Sequence, residues 1–471
     1  MISKRTIEKV FETARVEEVI GDFVQLKKSG SNYKGLSPFT EERTPSFMVS
    51  PAKQIWKDFS SGKGGTVITF LMEHEQYTYP EAIKYIANKY NIEVEETERT
   101  PEQISEDNEK ESLFLVSDFA KNYFKKNLFE EEGKTIALSY LKERNFNDEI
   151  IQKFEIGYSV NAKDSFSKAA INAGYKLNFL EKTGLTIVKE NENIDRFRGR
   201  VIFPIRSMSG RILGFGGRIL GSSKNIAKYI NSPESLIYQK SKVLYGIFES
   251  KQSIVKNDNC FLVEGYTDVI KMHQCGISNV VASSGTALSE NQIRLINRLT
   301  KNITVVFDGD AAGSRAALRG IDLILEQGMN VKICNLPEGD DPDSFVSNKN
   351  LEEVQSYLNK NSKDFIVYKA SLLLDDSEND PVRKAAVIRD MVESISKISD
   401  YIKRELYIKE CSSIMNISEQ VLYSTLAQIV KKDFNNLKKK HVKEFEPISI
   451  VKSEKKKSQV DELYELERKI I

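Results

Sequence analysis

Acidic residues follow three of the short apolar runs in the third quarter of the chain. Glu264 ends CFLVEG, Asp308 and Asp310 end ITVVFDGD, and Asp341 and Asp343 come after NVKICNLP. Apolar runs that alternate with helical patterns predict a parallel sheet with helices on both faces. Because the carboxyl ends of parallel strands meet at one crevice, where ligands bind, we expect these carboxylates to lie together.

A carboxylate cluster of this kind is suited to divalent cations. Asp308 and Asp310 are two residues apart, so an extended backbone would point both to one side, and Asp268 follows Glu264 by four residues. Carboxylates held together repel one another unless a cation lies among them, and hard oxygen ligands without His or Cys favour Mg²⁺ or Mn²⁺ over zinc. Bound to phosphates, such an ion activates an attacking oxygen and stabilises a leaving one. For any one of these motifs the alternative is ordinary turn chemistry, since Asp and Gly favour turns.

A run of basic residues precedes the acidic motifs. From Arg196 to Gly246 the chain has ten basic residues and one acidic residue, Glu234, although the 69 Lys and Arg and 68 Asp and Glu of the whole chain nearly balance. Apolar and basic positions alternate around the Ser-Gly turn of RFRGRVIFPIRSMSGRILGFGGRIL, which predicts a hairpin with one face in water. A phosphate backbone could lie along such a stretch, and a solvated basic face is the alternative.

Composition places the chain among soluble globular proteins. It has 471 residues, of which 40% are hydrophobic and 29% charged, and this length predicts about three domains. No run of about 18 apolar residues is present to span a membrane, and the charged N-terminus lacks the apolar segment of a secretory signal. The four cysteines are widely spaced, so we expect reduced thiols that serve in packing and a cytoplasmic protein without membrane contact.

Three acidic motifs resemble a known metal-binding fold. EGYTD, FDGDAAG and DDPDSF are similar to the Toprim domain, which bacterial primases, topoisomerases and some nucleases share. The resemblance implies that the metal and acid–base chemistry belongs to Glu264, Asp308 and Asp310. It implies supporting acidic positions, also at the metal, for Asp268, Asp341 and Asp343.

A resemblance over a longer part of the chain narrows the class of enzyme. The order and spacing of DRFRGRVIFPI, GFGGRIL, KYINSPES and YQKSKVLYG resemble the RNA-polymerase core of bacterial replicative primases of the DnaG type, over about residues 3–435. That resemblance implies a DNA-directed RNA polymerase that makes short RNA primers from NTPs on single-stranded DNA, with Mg²⁺ or Mn²⁺. It implies a template and nucleotide groove lined by Arg144, Arg198, Arg200, Arg218, Lys228, Asn231 and Lys240.

Two other functions stay open at this level. A Toprim nuclease or topoisomerase would cut DNA with Mg²⁺ and no NTPs, although no DNA-gate domain around a nucleophilic Tyr is recognisable. A non-catalytic adaptor that binds single-stranded DNA would not need the complete set of carboxylates. Incorporation of NTPs on a single-stranded template separates priming from both.

The N-terminal residues resemble the zinc-ribbon domain of the same primases. The resemblance rests on YKGLSPFTEERTPSF and the following GKGGTVITFL. Tetrahedral zinc is held by Cys and His, but the family's ligand positions hold Ser37, Thr40, Asp58 and Ser61. Zinc is therefore not expected, and these side chains are expected to form hydrogen bonds instead. The core that compensates is predicted to contain Phe39, Phe47, Trp56 and Phe59.

The expected fold class is a multidomain α/β and α+β protein. It combines a zinc-ribbon-like β domain without zinc, a central α/β RNA-polymerase core that contains a parallel-sheet Toprim fold, and a helical C-terminal subdomain. The predicted divisions are a template-binding domain (1–95), a linker (96–112), a basic α/β subdomain (113–255), a Toprim subdomain (256–345), a helical subdomain (346–437), a linker (438–459) and the start of a helicase-binding domain (460–471). One amphipathic helix cannot bury its apolar face alone, so either the chain is a fragment, which we favour, or the helicase-binding domain was lost. That domain is expected to be mostly absent, and the protein is expected to be a monomer.

Overall fold

The computed structural model describes most of the chain. The described residues are 2–95, 101–190, 192–221, 227–285, 287–309, 311–347, 349–374 and 381–444. Asp310, the predicted linker from residue 445 onward and the predicted helix over 460–471 lie outside them.

The N-terminal unit is an antiparallel meander packed between helices. Its elements are α1 (Lys4–Thr13), α2 (Val16–Gly21), β1 (Lys27–Ser29), β2 (Asn32–Gly35), β3 (Phe47–Ser50), β4 (Ile55–Asp58), β5 (Gly64–Gly65), α3 (Val67–His74) and α4 (Tyr79–Lys89). Phe47 and Trp56 are fully buried and stack with ring centroids 5.4 Å apart, and Phe39 packs partly buried against them. The predicted aromatic core is therefore present except for Phe59, which is 70% exposed because it lies just beyond the end of β4.

A long helix replaces most of the predicted first linker. Helix α5 (Pro101–Leu128) includes twelve of the seventeen residues (96–112) that were predicted to form the linker. The prediction treated a polar, acidic segment as a linker, but Glu, Gln and Lys favour helices and Pro is well tolerated at a first helical position. The buried face of α5 begins only at Leu113 and continues at Val116 and Ala120. Its N-terminal turns therefore lack the periodic apolar residues from which a helix is predicted.

The basic region forms an antiparallel sheet surrounded by short helices. Its strands lie in the order β11–β10–β9–β6. Its elements are α6 (Glu131–Gly133), a π-helix (Lys134–Leu138), α7 (Ser139–Glu143), α8 (Asp148–Lys153), β6 (Gly157–Ser159), α9 (Ser165–Asn172), α10 (Leu177–Lys182), β7 (Thr186–Lys189), β8 (Glu192–Asp195), β9 (Arg200–Arg206), β10 (Ile212–Ile219), β11 (Tyr229–Asn231), a 3₁₀ turn (Lys240–Lys242) and α11 (Ile247–Asn257). Strands β9 and β10 pair as the predicted hairpin.

The acidic region forms the predicted parallel sheet. Its elements are β12 (Cys260–Val263), α12 (Tyr266–Cys275), β13 (Val280–Ala282), α13 (Glu290–Asn297), β14 (Asn302–Phe307), α14 (Ala311–Glu326), β15 (Asn330–Asn335), α15 (Pro342–Ser347), α16 (Leu351–Asn361) and β16 (Lys363–Asp364). The order is β13–β12–β14–β15–β16, and only β16 is antiparallel to its neighbour. The parallel-sheet prediction is confirmed.

A glycine lets the two sheets' elements approach closely. Tyr266, the first residue of α12, stacks on Phe203 of β9 with centroids 5.3 Å apart. A Cβ at Gly216 of β10 would lie 2.5 Å from the ring of Tyr266. Any larger residue there would push α12, and the carboxylates at its start, away from the basic sheet.

Four helices follow the parallel sheet. They are α17 (Phe365–Leu374), α18 (Pro381–Ser396), α19 (Tyr401–Met415) and α20 (Glu419–Glu444). The predicted linker that starts at residue 438 is thus helical as far as Glu444, because KKKHVKE contains no Gly or Pro to end α20. Among the described residues, no helix combines the length and apolar character that crossing a bilayer requires.

Candidate metal and nucleic-acid site

Two adjacent strands deliver the first carboxylates to one edge of the parallel sheet. Glu264 follows the last residue of β12 and is exposed, whereas Asp308 follows the last residue of β14 and is half-buried. These strands are hydrogen-bonded neighbours in parallel register. The backbone N–H of Ser284 donates to the carbonyl of Glu264 at 3.0 Å, which fixes the loop after β13 at the same edge.

The DDPD turn is held against the end of β14. The N–H of Gly309 donates to the carbonyl of Asp340 at 2.9 Å, and a Cβ at Gly309 would lie 1.9 Å from the carbonyl oxygen of Pro337. The Asp341 carboxylate accepts a bond of 2.7 Å from the N–H of Ser344, at the start of α15. Only glycine fits at position 309, and this close approach brings the second acidic motif to the first.

Asp268 faces the other acidic side chains. It is buried, and its carboxylate accepts a 2.8 Å bond from the N–H of Gly265. Burial raises the pKa of Asp268 to about 7, and repulsion from Asp341, Asp308 and Asp343 adds to this effect against the hydrogen bond from Gly265. Asp308, Asp341 and Asp343 thus lie close enough to act on the charge of Asp268, with Glu264 at the same edge of the sheet. Among the described residues, however, no three His, Cys, Asp or Glu side chains are gathered closely enough to hold a metal ion.

The raised pKa of Asp268 gives a testable pH dependence. Because its pKa of about 7 lies above the ordinary value of 3.8, the folded state holds an extra proton between these values. The free energy of unfolding of the metal-free protein should therefore lose this group's contribution as pH rises from about 4 to about 7. Asp268→Asn keeps an acceptor for Gly265 and removes the titration. In EDTA, urea unfolding should show this variant to be more stable than wild type, by more at pH 8 than at pH 4.5; an equal difference at both would contradict the assignment.

Asp343 joins the acidic cluster to two cations. Its side chain is 5% exposed, forms an ion pair with Arg144 and lies 4.0 Å from Nζ of Lys271. Burial raises the pKa of Asp343, while Arg144, Lys271 and Arg218 oppose the rise. The sequence predicted a supporting metal ligand here, whereas the contacts make Asp343 the residue through which the acidic and basic regions meet.

Two arginines of the predicted groove stack on tyrosines beside this cluster. Arg144 donates to the hydroxyl of Tyr140 at 2.9 Å. Arg218 donates to the hydroxyl of Tyr229 at 2.7 Å, and its guanidinium lies 5.1 Å from the ring of Tyr140. Stacking and hydrogen bonding restrict both guanidinium groups, which pre-organises them for phosphate oxygens.

The remaining groove residues divide into two groups. Asn231 accepts a 2.7 Å bond from Tyr266 and donates to the carbonyl of Ser284 at 3.1 Å, so it lies at the cluster edge. The side chains of Arg198 and Lys228 are exposed, and that of Lys240 is half-buried.

Arg200 differs from the other predicted groove residues. The residue is 5% exposed, and its guanidinium donates to the carbonyl oxygens of Gly217, Ala227 and Lys228 at 3.2–3.3 Å. Arg200 thus supports β10 and the start of β11 from inside, and its side chain does not line the surface of the groove as the sequence predicted. Within a half-buried β-hairpin, the alternation of residues does not reveal which face turns inward.

Sequence reasoning missed three residues of the site. Tyr140 and Tyr229 hold the arginines, and Lys271 contacts Asp343. Helical spacing could have indicated Lys271, because it lies three residues after Asp268 on α12 and therefore on the same face. Nothing in the spacing of the two tyrosines connects them, since they lie on α7 and β11.

In the N-terminal unit, the four positions that correspond to the zinc ligands of the resembled domain belong to one hydrogen-bonded group. Asp58 is fully buried. Its carboxylate accepts bonds from the hydroxyls of Ser37, Ser60 and Ser61, and Thr40 shares a 2.6 Å hydrogen bond with Ser60. Burial opposes ionisation of Asp58, but the bonds from Ser61, Ser37 and Ser60 lower its pKa. The donors at these positions are one carboxylate and hydroxyls, which differ from the Cys and His donors of tetrahedral zinc sites.

The fold and the site define a Toprim-containing enzyme that acts on nucleic acid. Four family models match successive parts of the chain: the CHC2 zinc finger (2–102), the N-terminal domain of the DNA primase catalytic core (123–251), a Toprim-like domain (261–346) and the DnaB-helicase binding domain of primase (379–420). The order of these matches is the order of the structural units described above.

Relatives and solved structures agree with the family models. DNA primase from Clostridium acetobutylicum is 36% identical over 442 residues, which are 93% of this chain and 72% of the relative. DNA primase from Halalkalibacterium halodurans is 36% identical over 425 residues, 89% of this chain and 70% of the relative. The zinc-binding and RNA polymerase domains of Aquifex aeolicus primase give a TM-score of 0.60 at 30% identity, covering 88% of this chain and 98% of that chain. A DNA primase domain from Pseudomonas aeruginosa gives 0.62 at 32% identity, covering 67% and 99%.

The chain belongs to the DNA primase family. Its activity is that of a DNA-directed RNA polymerase, a nucleotidyltransferase that synthesises short RNA primers on single-stranded DNA for replication. The two alternatives left open by the sequence, a Toprim nuclease or topoisomerase and a non-catalytic adaptor, are thereby set aside.

Three predictions require correction. The CHC2 zinc-finger match over 2–102 points to zinc binding and contradicts the predictions that the zinc-ribbon-like domain lacks its zinc ligands and that zinc is not a cofactor. Those predictions were wrong because they judged the whole module by four positions. The match over 379–420 likewise contradicts the prediction that the helicase-binding domain is mostly absent. That prediction considered only residues 460–471 and overlooked α18 and α19.

Proposed function

We propose that Glu264, Asp308 and Asp310 hold Mg²⁺ or Mn²⁺ at this site, with Asp268 and Asp341 in support. Three carboxylates whose charges act on a fourth, Asp268, beside two stacked arginines, carry the proposal. All the donors are carboxylate oxygens, the type that suits these ions. When bound, such an ion neutralises phosphate charge and activates the attacking hydroxyl.

The chain's own residues then position the substrates. Arg144 pairs with Asp343 of the cluster and Arg218 lies over the same Tyr140 ring, and these two arginines would bind the phosphates of the incoming NTP. Asp343 and Tyr140 fix the orientation of Arg144. In the reaction, the 3′-hydroxyl of one nucleotide attacks the α-phosphate of the next, a P–O bond forms, and pyrophosphate leaves. Because positioning and charge neutralisation dominate phosphoryl transfer, these restrained guanidinium groups supply much of what the protein adds.

The exposed cations are proposed to bind the template. Arg198 is exposed in the turn before β9, Lys228 is exposed just before β11, and Lys240 is half-buried in the 3₁₀ turn. Contacts with phosphates position a nucleic acid without reading its sequence, so these residues would bind single-stranded DNA of any sequence. The segment matched by the DnaB-helicase binding model is proposed to bind the replicative helicase.

Metal removal tests the metal assignment directly. We expect incorporation of labelled NTPs on a single-stranded template in Mg²⁺ or Mn²⁺, loss of incorporation in EDTA, and recovery when the ion is restored. Template incubated with Mg²⁺ but without NTPs should stay intact. Undiminished synthesis after complete chelation would refute the proposed metal site, and cutting of the template would favour nuclease chemistry.

A further inference from the structure

A lysine is buried beside the acidic cluster. Lys271 lies on α12, three residues after Asp268, and its side chain is 2% exposed. Its Nζ lies 4.0 Å from Oδ1 of Asp343 and donates to the carbonyl of Asn145 at 3.3 Å. The ring of Phe146 lies 4.8 Å from the same nitrogen. A lysine is rarely buried to this degree unless its charge is paired and hydrogen-bonded, and here Asp343 and Asn145 supply that compensation.

The two contacts of Lys271 reach both members of one ion pair. Asp343 pairs with Arg144, and Asn145 is the residue that follows Arg144 in the turn after α7. Asn145 has a left-handed backbone conformation, with φ +58°, which asparagine tolerates better than most residues. Its carbonyl also accepts a 2.7 Å bond from Nε2 of Gln274 at the end of α12. Lys271 thus holds the partner of Arg144 and also the turn that carries Arg144.

The carboxylate of Asp343 is shared between two cations. Its Oδ2 pairs with Arg144, and its Oδ1 faces Nζ of Lys271. A carboxylate held through one oxygen can still turn about its bond to Cβ, whereas contacts to both oxygens define its plane. The Arg144 guanidinium uses one nitrogen for Asp343 and another for the hydroxyl of Tyr140, so its orientation depends on that plane. Lys271 therefore limits the orientation of Arg144 through Asp343.

We propose that Lys271 is a positioning residue for the incoming nucleotide, because it fixes Asp343 and the turn that carries Arg144, and so directs the guanidinium of Arg144 towards the NTP phosphates. This role rests on the proposed function, in which Arg144 binds those phosphates. A displacement of about 1 Å in a group that binds the substrate can cost about 10²-fold in rate. The side chain of Lys271 is shielded from the surface on which substrates bind, so its effect on synthesis is indirect.

Lys271→Met tests the proposal, because it keeps most of the apolar stem and removes the ammonium group. With labelled NTPs on a single-stranded template, the KM for NTP should rise about tenfold, less than the loss of about 10²-fold expected when such a donor is removed altogether. The kcat should change less. A purely structural role would reduce the fraction of folded enzyme, which lowers kcat and leaves KM unchanged. An unchanged KM in the folded variant would overturn the proposal.

Lys349 supplies the matched control. Its Nζ donates to the carbonyl of Phe345 at 3.2 Å and lies 4.1 Å from the ring of the same residue, so it shares with Lys271 a carbonyl contact and an aromatic contact. Unlike Lys271, it is exposed and lies beyond the end of α15. Lys349→Met should therefore keep the KM for NTP within about twofold of wild type. An equal rise in both variants would contradict a specific role for Lys271.

A double-mutant cycle shows whether Lys271 acts through Arg144. If it does, adding Lys271→Met to Arg144→Met should cause little further loss of kcat/KM, whereas losses that multiply would overturn the proposal. A normal KM in Arg144→Met would refute the proposed function and this role with it. A raised KM in Arg144→Met beside a normal one in Lys271→Met would refute this role alone. If thermal unfolding shows Lys271→Met to be unfolded, Lys271→Gln, which keeps a donor for the carbonyl of Asn145, replaces it in every comparison.

Discussion

Asp308→Ala is expected to lower primer synthesis by at least about 10³-fold, because a bound divalent ion contributes several kcal/mol of transition-state stabilisation. Asp308 directly follows β14, next to the strand that ends before Glu264. Its charge also contributes to the raised pKa of Asp268. Removing one carboxylate relieves that repulsion, so the metal-free variant should unfold at the same temperature as wild type or a higher one.

A nearby carboxylate gives the matched control for Asp308→Ala. Glu338 lies on the exposed turn after β15, at the same edge of the sheet. Glu338→Gln removes one negative charge without altering the cluster, and it should keep synthesis within about twofold of wild type, since exposed substitutions of this kind have small effects. Incorporation of labelled NTPs and thermal unfolding should be measured on both variants. Normal synthesis by Asp308→Ala, or equal losses in the two variants, would remove Asp308 from the site.

The sequence located the acidic half of the site because strand ends leave a strong signal. Two of the apolar runs stop at a carboxylate, Glu264 and Asp308, and the carboxyl edge of a parallel sheet gathers such residues whatever the loops between them do. For that reason, the positions of Glu264 and Asp308 could be predicted without knowledge of tertiary contacts. The partnership of Asp343 with Arg144 joins residues 199 positions apart, and no local pattern contains it.

The basic half of the site shows that a count of charged residues does not predict which side chains face the ligand. Ten basic residues within one segment indicate a positive surface, but the side chain of Arg200 turns inward to bond backbone carbonyls while Arg218 faces the cluster. Both arginines occupy the same hairpin. An arginine can stabilise the sheet by bonding its carbonyls, or it can face a bound ligand. Which of the two it does depends on the carbonyls and rings around it, and these are known only from the folded structure.

The N-terminal and helicase-binding modules were misjudged for a different reason. The predictions about zinc and the helicase rested on a few positions, namely Ser37, Thr40, Asp58 and Ser61 for zinc and residues 460–471 for the helicase. A domain is defined by its whole core, such as Phe47 and Trp56 in the N-terminal unit. Absence of the expected residue types at a few positions is therefore weak evidence against a module.

Arg144→Met is expected to lower primer synthesis by about 10²-fold, the loss typical of removing one pre-organised electrostatic donor. The variant loses the cation that the structure places between Tyr140 and the acidic cluster. It also leaves Asp343 buried with the charges of Lys271, at 4.0 Å, and Arg218 but without its direct ion pair, so the pKa of Asp343 should rise. If Arg144 binds a phosphate of the template as well, the slope of log affinity against log salt should fall by about one.

Lys142 supplies the matched control for Arg144→Met. It lies two residues earlier, is exposed and pairs only with Asp148 at the surface, so Lys142→Met should retain near-normal synthesis. A cycle with Asp343→Asn then separates two roles of Arg144. If Arg144 acts only by neutralising Asp343, the double variant should be no worse than Asp343→Asn alone, whereas a direct contact with substrate leaves a further loss. We expect that further loss, because Tyr140 orients the guanidinium independently of Asp343, and synthesis by Arg144→Met within twofold of wild type would exclude both roles.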